Sequence, residues 1–201
     1  TIRHTAVVAV AGKKVTDDVR KGLGMLHDQA EDLKREYGTA LVDQVDDDQE
    51  IQVPGIGGRP ERSINRSTLA QIIQPRMEEI LEIVEIEIKR SGYSRHLSAG
   101  VVLTGGGSLI PGTAELATEI LGQDARVGVP MGLAGGLVEE VTDSQFATSV
   151  GLVLYGLEPE GTAGAMYDQV ADHTWPGRSG SNGTSVMARI ANRMRSWFDE
   201  L

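Results

Sequence analysis

The sequence predicts an α/β fold, and three segments carry this prediction. An apolar stretch at 100–104, GVVLT, precedes three glycines at 105–107 and a helical pattern over Thr113–Leu121. This order of strand, glycine turn and helix is typical of α/β proteins. The β-branched segment Ile2–Val10 and the apolar segment 125–129 predict two further strands. An apolar fraction of 40% over 201 residues is enough to build a packed core.

Two helices are predicted after the first strand. Thr16 is expected to cap a helix over Asp17–Leu23, because acids in its first turn interact favourably with the helix dipole. A second helix is predicted over Ala30–Tyr37. Gly38 follows it and suits the left-handed position that often ends a helix.

An extended hairpin is predicted after the acidic segment Asp43–Glu50. Residues 51–64 read IQVPGIGGRPERSI, in which proline and glycine favour turns between extended arms. Arg59, Arg62 and Arg66 form a basic cluster in this region. Charge alone leaves two interpretations open, which are a site for an acidic partner and a set of solvated arginines.

A long helix is predicted next from its cap and its apolar stripe. Thr68 and Gln71 have the spacing of a capping box, and Pro75 predicts a break or kink before the helix continues to about Ser91. The residues expected to face the core recur every three or four positions and are Met77, Ile80, Leu81, Val84 and Ile88.

The composition changes after Leu157. Thr142 and Gln145 are expected to cap the last helix before this point. Residues 158–183 contain five glycines, two prolines and no apolar periodicity. They are therefore predicted to form a flexible linker.

The C-terminal segment 184–201 predicts an amphipathic helix. At about 100° per residue, its apolar side chains fall within an arc of about 140° and its charged side chains fall outside that arc. The apolar members are Val186, Met187, Ile190, Ala191, Met194, Trp197, Phe198 and Leu201, and the charged members are Arg189, Arg193, Arg195, Asp199 and Glu200. Such a helix commonly docks on its own domain, but the preceding linker favours a membrane surface or a partner groove.

Two groups of residues are candidates for ligand binding. The first is the glycine turn, which comprises Gly105, Gly106, Gly107 and Ser108. Its lack of side chains lets a ligand approach the backbone, although the turn matches neither a P-loop nor GxGxxG and is also compatible with a structural role. The second group is Glu31 and Lys34, which share one helical face and either reach a ribose or bridge each other at the surface.

Composition excludes several other classes of site. The absence of cysteine rules out a disulfide framework, a thiolate zinc site and a thiol nucleophile. A net charge of −10 opposes nucleic-acid binding, and no apolar run reaches the roughly 18 residues of a membrane span. The four histidines lack ligand spacing and no GxSxG motif is present, so neither a metal site nor a catalytic residue is predicted.

Taken together, the segments resemble the C-terminal half of the FtsA family of bacterial actin-like cell-division proteins. The resemblance covers nearly the whole chain and includes the amphipathic tail. Its longest segments are IRHTAVVAVAGKKVTDDV at 2–19, AEDLKREYG at 30–38, VPGIGGRPER at 53–62, IIQPRMEEILEIVEIEIKRSG at 72–92, VVLTGGGSLIPG at 101–112 and VGLVLYGL at 150–157. One departure is Ala11 and Gly12, where members of the family often have paired glycines.

The resemblance implies the second half of an actin/Hsp70-type ATPase fold. It divides the chain into a mixed-sheet core subdomain at 1–12 and 75–157 and a smaller inserted subdomain at 13–74. The linker at 158–183 and a membrane-targeting helix at 184–201 complete the chain. Because the sequence opens at Thr1 directly in a predicted strand, we expect it to be a piece of a longer protein.

The resemblance also implies an adenosine site for ATP. In this superfamily the turn matching Gly105, Gly106, Gly107 and Ser108 holds the adenosine, and the helix matching Glu31 and Lys34 contacts the ribose. The phosphate-binding hairpins and the acids that position Mg²⁺ are expected upstream of Thr1. ATP with Mg²⁺ is therefore expected in the full-length protein, with slow hydrolysis at most, and the 201-residue chain is not expected to hydrolyse ATP alone.

The implied function is that of a cell-division scaffold. The family polymerises in an actin-like manner and tethers the FtsZ ring to the cytoplasmic face of the cell membrane at the septum. The implied partners are the FtsZ C-terminal tail, further copies of the protein, an anionic membrane surface and downstream division proteins. Alternative functions on the same fold are a chaperone-type ATPase, a sugar kinase or a pilus-assembly homologue.

Overall fold

The described part of the chain mixes helices with short strands, as the α/β prediction requires. The computed structural model describes residues 2–46, 48–55, 58, 60–133 and 138–157. Over these residues the helices are α1 (Gly12–Leu23), α2 (His27–Tyr37), α3 (Arg66–Arg90), α4 (Thr113–Leu121), α5 (Val138–Val141) and α6 (Ala147–Leu157). The strands are β1 (Glu50–Val53), β2 (Arg62–Asn65), β3 (Val101–Leu103) and β4 (Ala125–Val127).

The strands form two separate pairs. β1 and β2 are antiparallel, with Ile51 opposite Ile64, and they are the two arms of the predicted hairpin. β3 and β4 are parallel, with Val101 opposite Ala125, and α4 provides the crossover between them. A parallel pair joined through a helix is the unit that the glycine-turn pattern predicted.

The strand predicted over Ile2–Val10 is wrong for this structure. Residues 2–10 have no strand pairing, and the Val7 side chain is 96% exposed. Ile2 and Val8 instead lie beside Val84 and Ile88 of α3, around a groove of about 530 Å³. β-branched sequence favours an extended backbone, but a strand also needs a neighbour with free backbone groups, which is a tertiary condition.

α1 begins five residues before the predicted start at Asp17, which corrects the role assigned to Thr16. The helix starts at Gly12, its N-cap is Ala11, and its first turn carries no acid. Thr16 is fully buried inside the helix, and its Oγ1 lies 3.2 Å from the carbonyl oxygen of Gly12. A threonine within a helix can bond to the carbonyl four residues earlier, so its hydroxyl is no sure sign of a cap.

α2 ends at Tyr37 as predicted, but Gly38 is not left-handed. Its φ is −65° and its ψ is 148°, an extended conformation open to other residues. Glycine is required for space instead, because an added Cβ would lie 2.2 Å from the carbonyl oxygen of Lys34 and 3.0 Å from Cδ1 of Ile73.

α3 is one continuous helix with no break at Pro75. It begins at Arg66, whose backbone N–H donates to the carbonyl of Gln49, so β2 passes directly into the helix. Thr68 therefore lies inside the helix and the predicted capping box is wrong. Pro75 is tolerated within the helix. The neighbouring Gln74 side chain joins the helix to the 3₁₀ turn Val42–Gln44, which follows α2, by accepting a hydrogen bond from the Val42 N–H at 2.7 Å.

The core is built around one side of α3. α1 and α4 pack against this helix, and α2 packs against α1. The predicted stripe is confirmed where Met77 and Leu81 are buried, whereas Val84 and Ile88 are only partly buried. The largest fully buried apolar side chains are Leu69, Ile73, Val15, Val19 and Val53. Residues 1–156 form one compact unit.

The last helix also begins differently from the prediction. A 3₁₀ turn at Ser144–Phe146 precedes α6, and the Asp143 carboxylate accepts a hydrogen bond from the Gln145 N–H at 3.0 Å. Asp143, and not Thr142, is therefore the N-cap of the turn that leads into α6, so the predicted capping box is wrong. The subdomain boundaries at residues 12, 74 and 75 stay predictions, and the linker 158–183 and the tail 184–201 lie outside the described residues.

We predict that Gly38→Ala destabilises the chain, whereas Gly151→Ala in α6 does not. The first substitution forces a methyl group onto the Lys34 carbonyl, a clash expected to lower the free energy of unfolding by about 1–3 kcal/mol. The second adds a methyl group where nothing lies within 4 Å, and alanine is the better helix former by up to about 1 kcal/mol. Urea denaturation measures the free energy of unfolding of both variants. A Gly38→Ala chain as stable as the parent would contradict this account.

Candidate functional site

A cleft of about 610 Å³ lies between α1, α2 and the glycine turn that follows β3. The residues that line it are Gly12, Lys13, His27, Glu31, Lys34, Arg35, Gly106, Gly107, Leu109, Ile110 and Gln145. The structure thus gathers both groups of candidates, Glu31 with Lys34 and Gly106 with Gly107, at one site. The carboxyl end of a parallel strand is the usual place for a ligand in an α/β protein, and β3 ends at this cleft.

The four residues of the glycine turn have different roles. Gly105 has a φ of 89°, which favours glycine, and its N–H donates to the Ser144 carbonyl at 3.0 Å. Ser108 is buried, and its hydroxyl donates to the Gly105 carbonyl at 2.7 Å. These two residues hold the shape of the turn. Gly106 and Gly107 line the cleft, and a Cβ built on Gly106 would meet nothing within 4 Å.

An ionic network joins α2 to α1 on the opposite wall. The Lys34 side chain is buried, and its Nζ lies 2.5 Å from Oε2 of Glu31 and 2.8 Å from Oγ1 of Thr16. Thr16 Oγ1 also lies 2.5 Å from Oε2 of Glu31. Arg35 donates from Nε to the other carboxylate oxygen, Oε1, at 2.8 Å.

This network keeps Glu31 ionised. Burial alone would raise the pKa of Glu31, but hydrogen bonds from Lys34, Thr16 and Arg35 outweigh the burial and lower the pKa from 4.5 to about 2. Near neutral pH the cleft therefore presents a carboxylate that can only accept hydrogen bonds.

Several residues of the cleft have no binding role predicted from the sequence. Lys13 and His27 were assigned no role, and Thr16 was assigned only a cap. Gly12 was noted only as a departure from the family pattern. A signal was available, because a glycine directly after an apolar segment and before a helix marks a close backbone approach. The approach is to Gly107, whose Cα lies 3.6 Å from a Cβ built on Gly12.

Two arginines of the basic cluster donate hydrogen bonds to helix ends and so help to stabilise the fold. Arg62 donates from Nη2 to the carbonyl of Leu23, and Arg66 donates from Nε to the carbonyl of Tyr37 at 2.7 Å. Leu23 and Tyr37 are the last residues of α1 and α2, where a cation satisfies free carbonyls and complements the helix dipole. Arg59 lies outside the described residues, so partner binding by this cluster stays a prediction.

The predicted membrane helix lies wholly outside the described residues. This applies to all its candidate membrane contacts, from Val186 to Leu201. Among the residues that are described, no helix is long and apolar enough to cross a membrane. Within the same ranges, no group of three or more His, Asp or Glu side chains is arranged to hold a metal ion.

We predict that Glu31 contributes stability that depends on pH. Because the pKa is lower in the folded chain than in the unfolded chain, the contribution is complete above about pH 4.5 and is lost as the pH falls toward about 2. Urea denaturation of the parent and of Glu31→Gln should give a larger difference in unfolding free energy at about pH 7 than at about pH 3. An equal difference at the two pH values would show that the carboxylate charge contributes nothing.

Comparison with known proteins identifies the family. The family model described as Cell division protein FtsA matches residues 1–151. A cell division protein FtsA from Pseudomonas aeruginosa is 40% identical over 165 residues, which cover 82% of this chain and 39% of the relative. The protein of the same name from Escherichia coli K12 is 39% identical over 164 residues, covering 78% of this chain and 39% of the relative. The one from Agrobacterium fabrum is 33% identical and covers 97% of this chain and 43% of the relative.

Solved structures identify the fold. A crystal structure of MreB5 of Spiroplasma citri bound to ADP has a TM-score of 0.56 and 17% identity, covering 83% of this chain and 48% of that chain. A second, bound to AMPPNP, has a TM-score of 0.58 and 18% identity, covering 83% of this chain and 47% of that chain. Both are actin-like proteins, so the chain has part of the actin-like fold that the resemblance implied.

The chain therefore spans about two fifths of the length of the curated relatives described above. The matched residues run through α1, α2, the hairpin, α3 and the glycine turn, so they include the whole cleft. The relatives are cell division proteins, and the alternative families of the same fold are set aside. The family model matches residues 1–151 and the fold is actin-like, so the chain belongs to the FtsA family of cell division proteins.

Proposed function

We propose that this chain is part of a cell-division scaffold that binds ATP, polymerises in an actin-like manner and tethers the FtsZ ring to the cytoplasmic face of the cell membrane at the septum. The observation that carries the proposal is the cleft, which brings Glu31 and Lys34 to the glycine turn at Gly106 and Gly107. Downstream division proteins and further copies of the protein are its other proposed partners.

The chemistry of the cleft fits the adenosine end of ATP. Glu31 offers an ionised acceptor to a ribose hydroxyl. The open space at Gly106 admits a flat base against the backbone, and Leu109 and Ile110 offer apolar contact nearby. The MreB5 structures that share the fold were solved with ADP and AMPPNP, which supports a nucleotide as the ligand.

The proposed Mg²⁺ accompanies the phosphates of ATP. It would neutralise phosphate charge and assist slow hydrolysis when bound in the full-length protein. The described residues of the cleft supply three glycines, two lysines, one arginine, one histidine, one carboxylate, one amide and two apolar side chains. Their contribution is therefore to bind and orient the nucleoside.

The proposed FtsZ contact rests on charge. The net charge of the whole chain is −10, yet three arginines lie within the hairpin region. A partner segment that is acidic and apolar would associate faster with such a basic cluster, and the rate would fall with added salt. Because Arg62 and Arg66 also bind helix carbonyls, their replacement would disturb the fold as well as the charge.

The proposed membrane contact rests on the separation of apolar and charged side chains on the two faces of the predicted helix 184–201. Trp197 and Phe198 suit the boundary between headgroups and acyl chains, and Ile190, Met194 and Leu201 share their face. Arg189, Arg193 and Arg195 would meet anionic phosphates at about 1 kcal/mol each. An isolated helix of this length is marginal in water, so we expect it to form when lipid is present.

We predict that Gly106→Arg abolishes ATP binding in the full-length protein without unfolding it. The backbone at Gly106 leaves space for a side chain, but a long one would fill the cleft. Calorimetry measures the affinity, and a thermal transition checks the fold. Gly106→Ala is the graded control, since its methyl group should weaken binding much less. Unchanged ATP affinity in Gly106→Arg would remove the adenosine assignment.

We predict that Trp197→Glu combined with Phe198→Glu abolishes binding to anionic vesicles. Two charges on the apolar face remove its burial in the interface. Flotation with vesicles measures binding, and the thermal transition of residues 1–157 should be unchanged because the predicted linker would separate them from the tail. Replacing Asp199 and Glu200 by Gln on the charged face is the matched control and should preserve flotation. If the double glutamate variant floats like the parent, the tail does not bind membranes.

A further inference from the structure

The hydrogen-bond capacity of Lys34 is already used within the protein. An ammonium group has three N–H donors, and Nζ of Lys34 has three acceptors among the described residues. They are Oε2 of Glu31 at 2.5 Å, Oγ1 of Thr16 at 2.8 Å and the carbonyl oxygen of Gly12 at 3.4 Å. The side chain is only 8% exposed, so water offers it little in exchange. Lys34 is thus a group that holds the wall of the cleft together.

Glu31 differs from Lys34 because one of its oxygens stays accessible. Oε2 faces inward to Lys34 and Thr16. Among the described residues Oε1 accepts one bond, from Arg35, whose side chain is 71% exposed and free to exchange this contact with water. A carboxylate oxygen accepts about two hydrogen bonds, so Oε1 can receive a further donor from the cleft.

Thr16 helps to set the orientation of the Glu31 carboxylate, with Oε2 toward the protein and Oε1 toward Arg35. Its side chain is fully buried on α1, and its Oγ1 bridges the carboxylate of Glu31 and the ammonium of Lys34 on α2. The hydroxyl has one proton, which it donates to Oε2 at 2.5 Å in preference to the Gly12 carbonyl at 3.2 Å, and it accepts from Nζ at 2.8 Å. Without this hydroxyl, Oε2 would keep its bond from Lys34 but would lose the direct bond that ties the carboxylate to α1.

We propose that Thr16 is a positioning residue for ribose recognition, and that it acts by fixing Glu31 so that Oε1 alone accepts a hydrogen bond from a ribose hydroxyl. The inference rests on the proposed function, because it assumes that the cleft binds ATP. It assigns direct recognition to Glu31 and a supporting role to Lys34 and Thr16.

The test compares two variants that differ by one hydroxyl. Thr16→Ser and Thr16→Ala both remove the γ-methyl group, and only the serine keeps the oxygen. For each full-length protein, calorimetry measures the dissociation constants of ATP and of 2′,3′-dideoxyATP, which lacks both ribose hydroxyls. The ratio of the two constants reports ribose recognition separately from overall affinity.

The parent and Thr16→Ser should bind ATP about tenfold or more tightly than the dideoxy analogue, the usual scale for a hydrogen bond to a charged group. In Thr16→Ala the ratio should fall to near one. A folded Thr16→Ala that keeps the parental ratio, or a folded Thr16→Ser that loses it, would overturn the proposal. Thr16→Val, which keeps the side-chain volume, replaces the alanine if that variant does not fold.

Different results contradict the proposed function and the role of Thr16. A parent protein that binds neither nucleotide contradicts the proposed function, and the inference falls with it. A parent that binds both nucleotides equally keeps the nucleotide site but removes ribose recognition by Glu31.

Discussion

The buried ammonium group of Lys34 is the constraint on which the candidate site depends. A charge in this position is costly unless it is paired and fully hydrogen-bonded. Glu31, Thr16 and the Gly12 carbonyl meet this requirement, and they come from two helices. Satisfying one lysine therefore fixes α1 against α2 and places an ionised carboxylate at the wall of the cleft.

Arginines also contact the C-terminal ends of the same two helices. Arg62 and Arg66 reach the last carbonyls of α1 and α2 from the start of α3 and the strand before it. A segment that sequence analysis treats as a charged surface thus also stabilises the helices that build the cleft. Together with the contacts of Lys34, these bonds tie α1 and α2 to each other and to the segment Arg62–Arg66.

The family match and the geometry support one another at different levels. The relatives and the family model identify a cell division protein of the FtsA family, and the MreB5 structures identify an actin-like fold. Neither comparison says which atoms of this chain meet a ligand. The proposed ligand contacts rest on the cleft, where Gly105 and Ser108 shape the turn while Gly106 and Gly107 face the open space.

The sequence by itself determined the elements that depend on local pattern. The hairpin, the apolar stripe at Met77 and Leu81, the end of α2 at Tyr37 and the strand, turn and helix around the triple glycine all follow from periodicity and turn chemistry. The resemblance also named Glu31, Lys34 and the glycine turn, although their positions are far apart along the chain.

The tertiary structure decided whatever depends on a partner distant in sequence. Threonine is a residue type that often caps helices, yet α1 starts at Gly12 and the Thr16 hydroxyl is buried against Glu31 and Lys34. Residues 2–10 have strand propensity, yet they have no strand pairing. Packing between segments determines the hydrogen-bond partner of a side chain and the neighbour of a strand. Local sequence does not specify which segment will be adjacent.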